Sequence, residues 1–340
     1  MRLLYRISFY SLMMAALFTL AACGNDTPDP APPPSPAPAA AQQPKPNAKP
    51  VPKFDMDSAY AYVAAQVAFG PRVPNSQAHR DCRVWLVNKL KEFGAEVEEQ
   101  NFTATAYTGT KLESTNIIGK YNPEHSDRIL LAAHWDTRHI ADSDLEDDPN
   151  AVVEGADDGA SGVGVLLEIA RQLQKSTPDI GVDIVFFDAE DYGEIGADNP
   201  NSWGMGAQHY SRTPRGINPR YGILLDMVGG RNARFAHERY SMSFAPQLVR
   251  KVWKLAGDMG YGTYFPNIQG KGVLDDHYFV NSIAGIPMID IINYREDTQT
   301  GFVEHWHTGN DGIAIIDKRS LRAAGQVVTA LIYREAAGTL

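Results

Sequence analysis

The sequence predicts an α/β fold, with a mostly parallel sheet covered by helices on both faces. Three observations carry that prediction. From residue 54 onward, short and continuously apolar runs alternate with segments of helical periodicity, as expected of strands buried on both sides. Acids and histidines recur where those runs end, and open α/β sheets build their sites beyond the C-terminal ends of strands. The 340 residues are 44% hydrophobic, enough to bury a large core.

The N-terminal segment stands apart from that fold. Two arginines lie within residues 1–6, and "ISFYSLMMAALFTLAAC" follows. A charged start, an apolar stretch and small residues at its end make a secretory signal, predicted over residues 1–22. The "LAAC" ending resembles a bacterial lipoprotein box, which makes Cys23 the first mature residue and the lipid carrier. Residues 23–53 are expected to form a lipidated Pro/Ala-rich tether, because residues 24–53 hold 11 of the 22 prolines and cannot build a core. The expected location is extracytoplasmic, with the membrane reached through the lipid alone. Later apolar runs are too short to span a bilayer. Cys82 is the only other cysteine, so no disulfide is expected.

Residues 54–340 read as one catalytic domain. Helices are predicted in "DSAYAYVAAQVAFG" and "NSQAHRDCRVWLVNKLKEFG", the second with Asn75 or Ser76 as cap and Gly94 as stop. Strands follow in "AEVEEQNF", "STNIIGKY", "RILLAAHWD", "VDIVFFD", "YGILLDMVG" and "IPMIDIINY". Further helices are predicted in "GASGVGVLLEIARQLQK", in "APQLVRKVWKLAGDMG" and from Lys318 to about Glu335. There is no internal repeat and no phosphate-binding glycine motif. A net charge of -10 without a basic block argues against nucleic acid as a partner.

The strand ends carry the chemistry. His134 and Asp136 close one run, and Asp188, Glu190 and Asp191 follow the next. Asp226 ends a third, and His305 and His307 lie in the loop after the last. Asp157 and Asp158 occupy a turn before a helix, where Asp157 is expected to cap it. Asp136 is expected to orient a histidine. So many acids and histidines at one sheet edge would repel or lie desolvated without a cation. Zinc suits imidazole and carboxylate ligands. Iron and manganese share those ligand types, and calcium disfavours histidine. Side chains of Glu190 and Asp191 point to opposite sides, so one can hold the metal and the other can carry a proton. The acid-rich stretch 141–150 reads as a solvated loop.

"HWD", "GADDGASG", "FFDAED", "LLDMVG", "DDH" and "HWHT" resemble, in that order, the zinc aminopeptidase clan with co-catalytic metals. Within the clan, Trp203, "DDH" at 275–277 and "WHT" at 306–308 resemble the animal-type glutaminyl-peptide cyclotransferases. The resemblance implies a single three-layer α/β/α domain with a mostly parallel mixed sheet, one zinc ion, and N-terminal glutamine peptides or proteins as substrates. It implies Asp158, Asp191 and His307 as metal ligands and Glu190 as general acid–base. Asp226 and Asp275 fall on acids that relay protons, and Trp203, Phe302 and Trp306 on pocket walls. His134 falls on a ligand of a second metal position that the cyclases leave unfilled.

There are departures from that family. Asp191 stands where the animal enzymes have glutamate, so Glu190 remains an alternative ligand. Ala133 replaces a cysteine, and Asp290 replaces a histidine but can still bond Asp275. The implied reaction turns N-terminal glutamine into pyroglutamate with release of ammonia. A two-metal aminopeptidase and a catalytically silent ectodomain are the rival readings. A monomer is expected.

Overall fold

The structure, a computed structural model, describes residues 45 and 48–340, apart from 149, 197, 198, 296 and 299. The predicted signal, Cys23 and most of the tether lie outside the described residues. The end of the tether is anchored to the domain: Gln326 donates to the Pro52 carbonyl at 3.0 Å and Gln172 to that of Lys53 at 3.3 Å.

Two helices open the domain. Asp55 caps α1 (Met56–Val67) by accepting from the amides of Asp57 and Ser58. Ser76 caps α2 (Gln77–Glu92), and Gly94 ends it at φ 80°. All six predicted strands form: β1 (Glu96–Thr105), β2 (Lys111–Tyr121), β3 (Arg128–His134), β4 (Gly181–Phe187), β5 (Gly222–Asp226) and β6 (Met288–Ile292). They make one sheet in the order β1-β2-β4-β3-β5-β6. The pairs β1–β2 and β2–β4 are antiparallel, and β4–β3, β3–β5 and β5–β6 are parallel.

Each central strand divides its side chains between two cores, as period-2 alternation requires. Leu131, Ala133, Ile184 and Ile223 pack into one, and Leu130, Ala132, Val185 and Leu224 into the other. The first core is shared with α1, α2, α3 (Ala160–Lys175), a helix at Pro246–Asp258 and the last helix, Lys318–Ala337. The second is covered by α4 (Met205–Arg212) and a short helix at Asp276–Phe279. The sequence reading did not include α4, the short helix, or α5 (Arg239–Phe244). In chain order the remaining three are α6, α7 and α8. Truncating one buried leucine here, Leu131→Ala, would cost about 2–5 kcal/mol.

Two features place the site. The strand β3 is central: the chain leaves it for β4 on one side and then returns to β5 on the other. That reversal makes a crevice at the C-terminal ends. Helix α3 sits directly against the same edge, because a Cβ at Gly162 would lie 2.2 Å from the Leu225 carbonyl oxygen. The small residues of "GASG" are therefore needed for this approach.

Candidate metal centre and pocket

Two acidic dipeptides face each other across the crevice, and each is held the same way. Asp136, just past β3, accepts from the amides of Glu190 (3.1 Å) and Asp191 (3.2 Å) with its two oxygens. Asp311 accepts from the amides of Asp157 (2.8 Å) and Asp158 (3.0 Å). These buried clamps fix where Glu190, Asp191 and Asp158 point. Among the described residues, the non-glycine positions with positive φ, asparagines aside, are Ala189, Met227 and His307. Each flanks or is a site residue, and such backbone strain concentrates at functional sites.

Asp158, Asp191 and His307 offer one atom each within 4.8 Å of one another. The Nε2 atom of His307 lies 3.0 Å from Asp191 Oδ1 and 3.8 Å from Asp158 Oδ2. Four-coordinate zinc with bonds of about 2.0–2.1 Å spaces its ligand atoms by roughly 3.3 Å, and these distances bracket that value. Asp142 faces His307 Nδ1 at 3.1 Å. With Nδ1 donating to that carboxylate, Nε2 turns a lone pair towards Asp191. Asp191 is buried, and its Oδ1 faces His307 Nε2 at 3.0 Å and Arg138 Nη1 at 3.6 Å. Acceptors facing acceptors in a buried place call for a cation, and the donor set fits a divalent metal. Burial opposes a charge on His307, but Asp191 and the Asp142 bond outweigh it and raise its pKa to about 9.

A second set shares Asp158. Here Nε2 of His134 lies 3.0 Å from Asp158 Oδ1 and 3.3 Å from Asp226 Oδ1. The Nδ1 atom of His134 faces Asp136 at 3.4 Å. Glu190, 7% exposed, lines the pocket beside Asp191. Burial drives its carboxyl well above the usual range; His134 opposes this, and the charges of Asp275 and Asp191 reinforce it. That is the state expected of a proton carrier at neutral pH.

The pocket encloses about 420 Å³, within the roughly 300–1,000 Å³ range of small-ligand sites. Trp203, Phe302 and Trp306 line it, together with Asp226, Asp275 and all three residues of the ligand set. The aromatic rings are stacked in series: Phe302 on Trp306 at 4.5 Å, and Trp306 on His307 at 3.8 Å. Trp203 is held from behind by the Arg138 guanidinium at 4.9 Å. Gly193 must lack a side chain there, since a Cβ would lie 2.0 Å from the Trp203 ring.

Every site residue named from the sequence, Cys23 excepted, lies at this edge, but two local readings are corrected and one is extended. Asp157 does not cap α3, which begins without a side-chain cap at Gly159. It accepts instead from the amides of Gly229 (2.7 Å) and Gly230 (3.0 Å) and meets His305 Nε2 at 2.8 Å, tying the loop after β5 to the one carrying His307. Asp136 faces His134 Nδ1 at 3.4 Å, as expected, and in addition holds the Glu190–Asp191 backbone. The stretch 141–150 is not merely solvated, because Asp142 seats His307 and binds Arg138 Nη2 at 2.5 Å. Arg138 in turn donates to the carbonyls of Asp191 (3.0 Å) and Gly193 (2.8 Å). Asp290 approaches Asp275 within 4.8 Å, close enough for the two carboxyls to share a hydrogen bond when one is protonated. Cys82 is free and buried.

This fold and site define a class: residues 116–332 match the sequence model of peptidase family M28, and the chain belongs to that family. Solved relatives span nearly their full length. A glutaminyl cyclase from Bacteroides thetaiotaomicron is 49% identical, with a TM-score of 0.81, over 84% of this chain and 99% of its own. A Zn-dependent exopeptidase from Parabacteroides distasonis is 52% identical at the same TM-score of 0.81, with coverage of 84% and 99%. The glutaminyl-peptide cyclotransferase of Bos taurus is 23% identical over 291 residues, 77% of each chain.

Proposed function

We propose that this chain is a zinc-dependent glutaminyl-peptide cyclotransferase, converting the N-terminal glutamine of peptides and proteins to pyroglutamate with release of ammonia. One observation carries the reading: the Asp158, Asp191 and His307 set opens into a pocket walled by three aromatic rings, with the buried Glu190 beside it. Likeness to a cyclase over the whole catalytic domain supports it.

Asp158, Asp191 and His307 would hold the ion. Zinc, when bound, supplies a Lewis acid for the side-chain carbonyl of the substrate. Trp203, Phe302 and Trp306 fold one glutamine side chain back on its own amine and exclude water, which provides the proximity that ring closure needs. Glu190 takes a proton from the attacking α-amine and returns it to the departing nitrogen. Asp275 and Asp226 line the same wall and stabilise positive charge on that nitrogen. No water enters the balance.

The assay is direct. Incubation with a Gln-initiated peptide should lower its mass by one ammonia without cleavage, and a Leu-initiated peptide should remain intact. Shortening of the latter by one residue would instead establish an aminopeptidase, the reading that the complete second set of His134, Asp158 and Asp226 favours.

The reading extends to an extracytoplasmic lipoprotein. It has a signal over residues 1–22, a lipid on Cys23 and a Pro/Ala-rich tether to residue 53, and the domain acts as a monomer. Fatty-acid labelling that disappears in Cys23→Ala would support the anchor, and labelling that persists would refute it. Light scattering gives the oligomeric state.

A further inference from the structure

Behind the pocket wall a buried chain leads from Asp275 to three ionisable groups, Glu238, His277 and Asp290, that the reaction as described does not use. Glu238 caps α5, accepting from the amides of Tyr240 (2.8 Å) and Ser241 (2.5 Å). It also accepts from the amide of Val273 at 2.9 Å, in the segment leading to Asp275. Its oxygen Oε2 meets His277 Nε2 at 3.0 Å. On the other side of the ring, His277 Nδ1 faces Asp290 Oδ2 at 3.9 Å. Oxygens of Asp275 and Asp290 and a nitrogen of His277 lie within 4.8 Å of one another. Of the four residues only Asp275 lines the pocket; Glu238 is 2% exposed, and His277 and Asp290 are fully buried.

Hydrogen-bond accounting makes this group unusual. Glu238 receives three backbone amides, so it is an acceptor throughout, and Nε2 of His277 must be the donor. The donor is thereby fixed on Nε2, and Nδ1 is left as the nitrogen open to exchange with Asp290. His277 Nδ1 has no hydrogen-bond partner, and both oxygens of Asp290 and Oδ2 of Asp275 have no donor except a proton shared between the two carboxyls. Buried acceptors without donors are costly, and a proton on Asp290 relieves the conflict. Burial, reinforced by the charge of Asp275, holds the Asp290 carboxyl well above its usual range. The backbone of Asp290 is fixed as well, its amide donating to Ser241 Oγ at 2.9 Å.

We propose that Glu238 and His277 are positioning residues of the cyclisation, which hold Asp290 against Asp275 so that one buried proton stays behind the pocket wall and sets the charge that Asp275 presents to the departing nitrogen. The proposal rests on the cyclase reading for its reaction. Its geometry, with Nε2 of His277 protonated against Glu238, stands independently.

Two variants separate this role from simple packing. In His277→Gln the side-chain amide can still donate to Glu238 but offers nothing to Asp290. In the full-length enzyme it should retain its melting temperature, one metal per chain and a KM within about twofold, while kcat falls on the order of 10- to 100-fold, the size typical of losing a group that orients a reacting one. Asp290→Asn should show the same split. Wild-type kcat in folded His277→Gln would overturn the proposal, as would loss of a metal equivalent, which would make the cluster a metal site. The test also has an arm that needs no variant to fold. Nitrogen-15 NMR of histidine-labelled wild type should show the proton of His277 on Nε2, and a bare Nε2 would overturn the proposal. Failure of wild type to cyclise a Gln peptide, with that tautomer present, would refute the cyclase reading and leave the buried geometry standing.

Discussion

His307 and His134 sit on opposite sides of Asp158 and make nearly equal approaches to carboxylates: 3.0 Å to Asp191 for one, 3.0 Å to Asp158 and 3.3 Å to Asp226 for the other. They differ behind the ring. His307 Nδ1 is seated on Asp142 at 3.1 Å, itself bound by Arg138, whereas His134 Nδ1 faces Asp136 at a longer 3.4 Å, and both oxygens of Asp136 already accept from the amides of Glu190 and Asp191. A metal-ligating imidazole gains basicity and orientation from the partner of its other nitrogen. Identical ligand types can therefore make one tight centre and one place that a histidine merely occupies. The difference lies in the support, and not in the list of ligands.

The largest effect should come from removing the ligands themselves. His307→Ala should abolish zinc retention and lower turnover by on the order of a thousandfold or more, the worth of several kcal/mol of charge stabilisation. His134→Ala should keep one zinc per chain by atomic absorption. Equal metal loss in both would erase the distinction between the two sides. Next comes Glu190→Gln, which should cost on the order of 10²–10⁴ in kcat with metal content unchanged. Loss of the metal in that variant would make Glu190 the ligand in place of Asp191.

The support itself is tested by a smaller effect. Asp142→Asn should weaken zinc binding by roughly 10- to 100-fold in competition with a chelator, and Asp136→Asn should act chiefly on the Glu190–Asp191 turn, through stability. A third histidine with a carboxylate seat sharpens the comparison further. Burial alone would raise the carboxyl of Glu238, but the bond from His277 and the amides of Ser241 and Tyr240 outweigh it and hold it near 2, against an ordinary 4.5. This lowered pKa stabilises the fold fully above pH 4.5, and the stabilisation disappears as pH falls towards 2. Its size is up to about 3 kcal/mol. Urea midpoints measured between pH 6 and pH 3 should fall more steeply for wild type than for Glu238→Gln.

Strands and long helices were legible in the sequence because apolar periodicity and caps are local. Ser76, Gly94 and the run from Ile129 to Ala133 announce themselves within a few residues. The metal ligands were legible for a related reason, as they stand at strand ends and in turns with a recognisable order of motifs. What supports them was not. Asp142 lies in a loop rich in acids, and nothing nearby distinguishes the one that reaches His307, 165 positions away. Asp157 looked like a helix cap because an acid before small residues usually is one. Its true partners, Gly229, Gly230 and His305, are brought to it only by tertiary folding. Short helices such as α7, four residues long, carry too little periodicity to be read at all.

One measurement tests the central claim most directly: anomalous diffraction at the zinc edge from crystals of the metal-loaded enzyme. A single peak between Asp158, Asp191 and His307, with none between His134 and Asp226, is the predicted result. Two peaks sharing Asp158, or one on the His134 side alone, would contradict it.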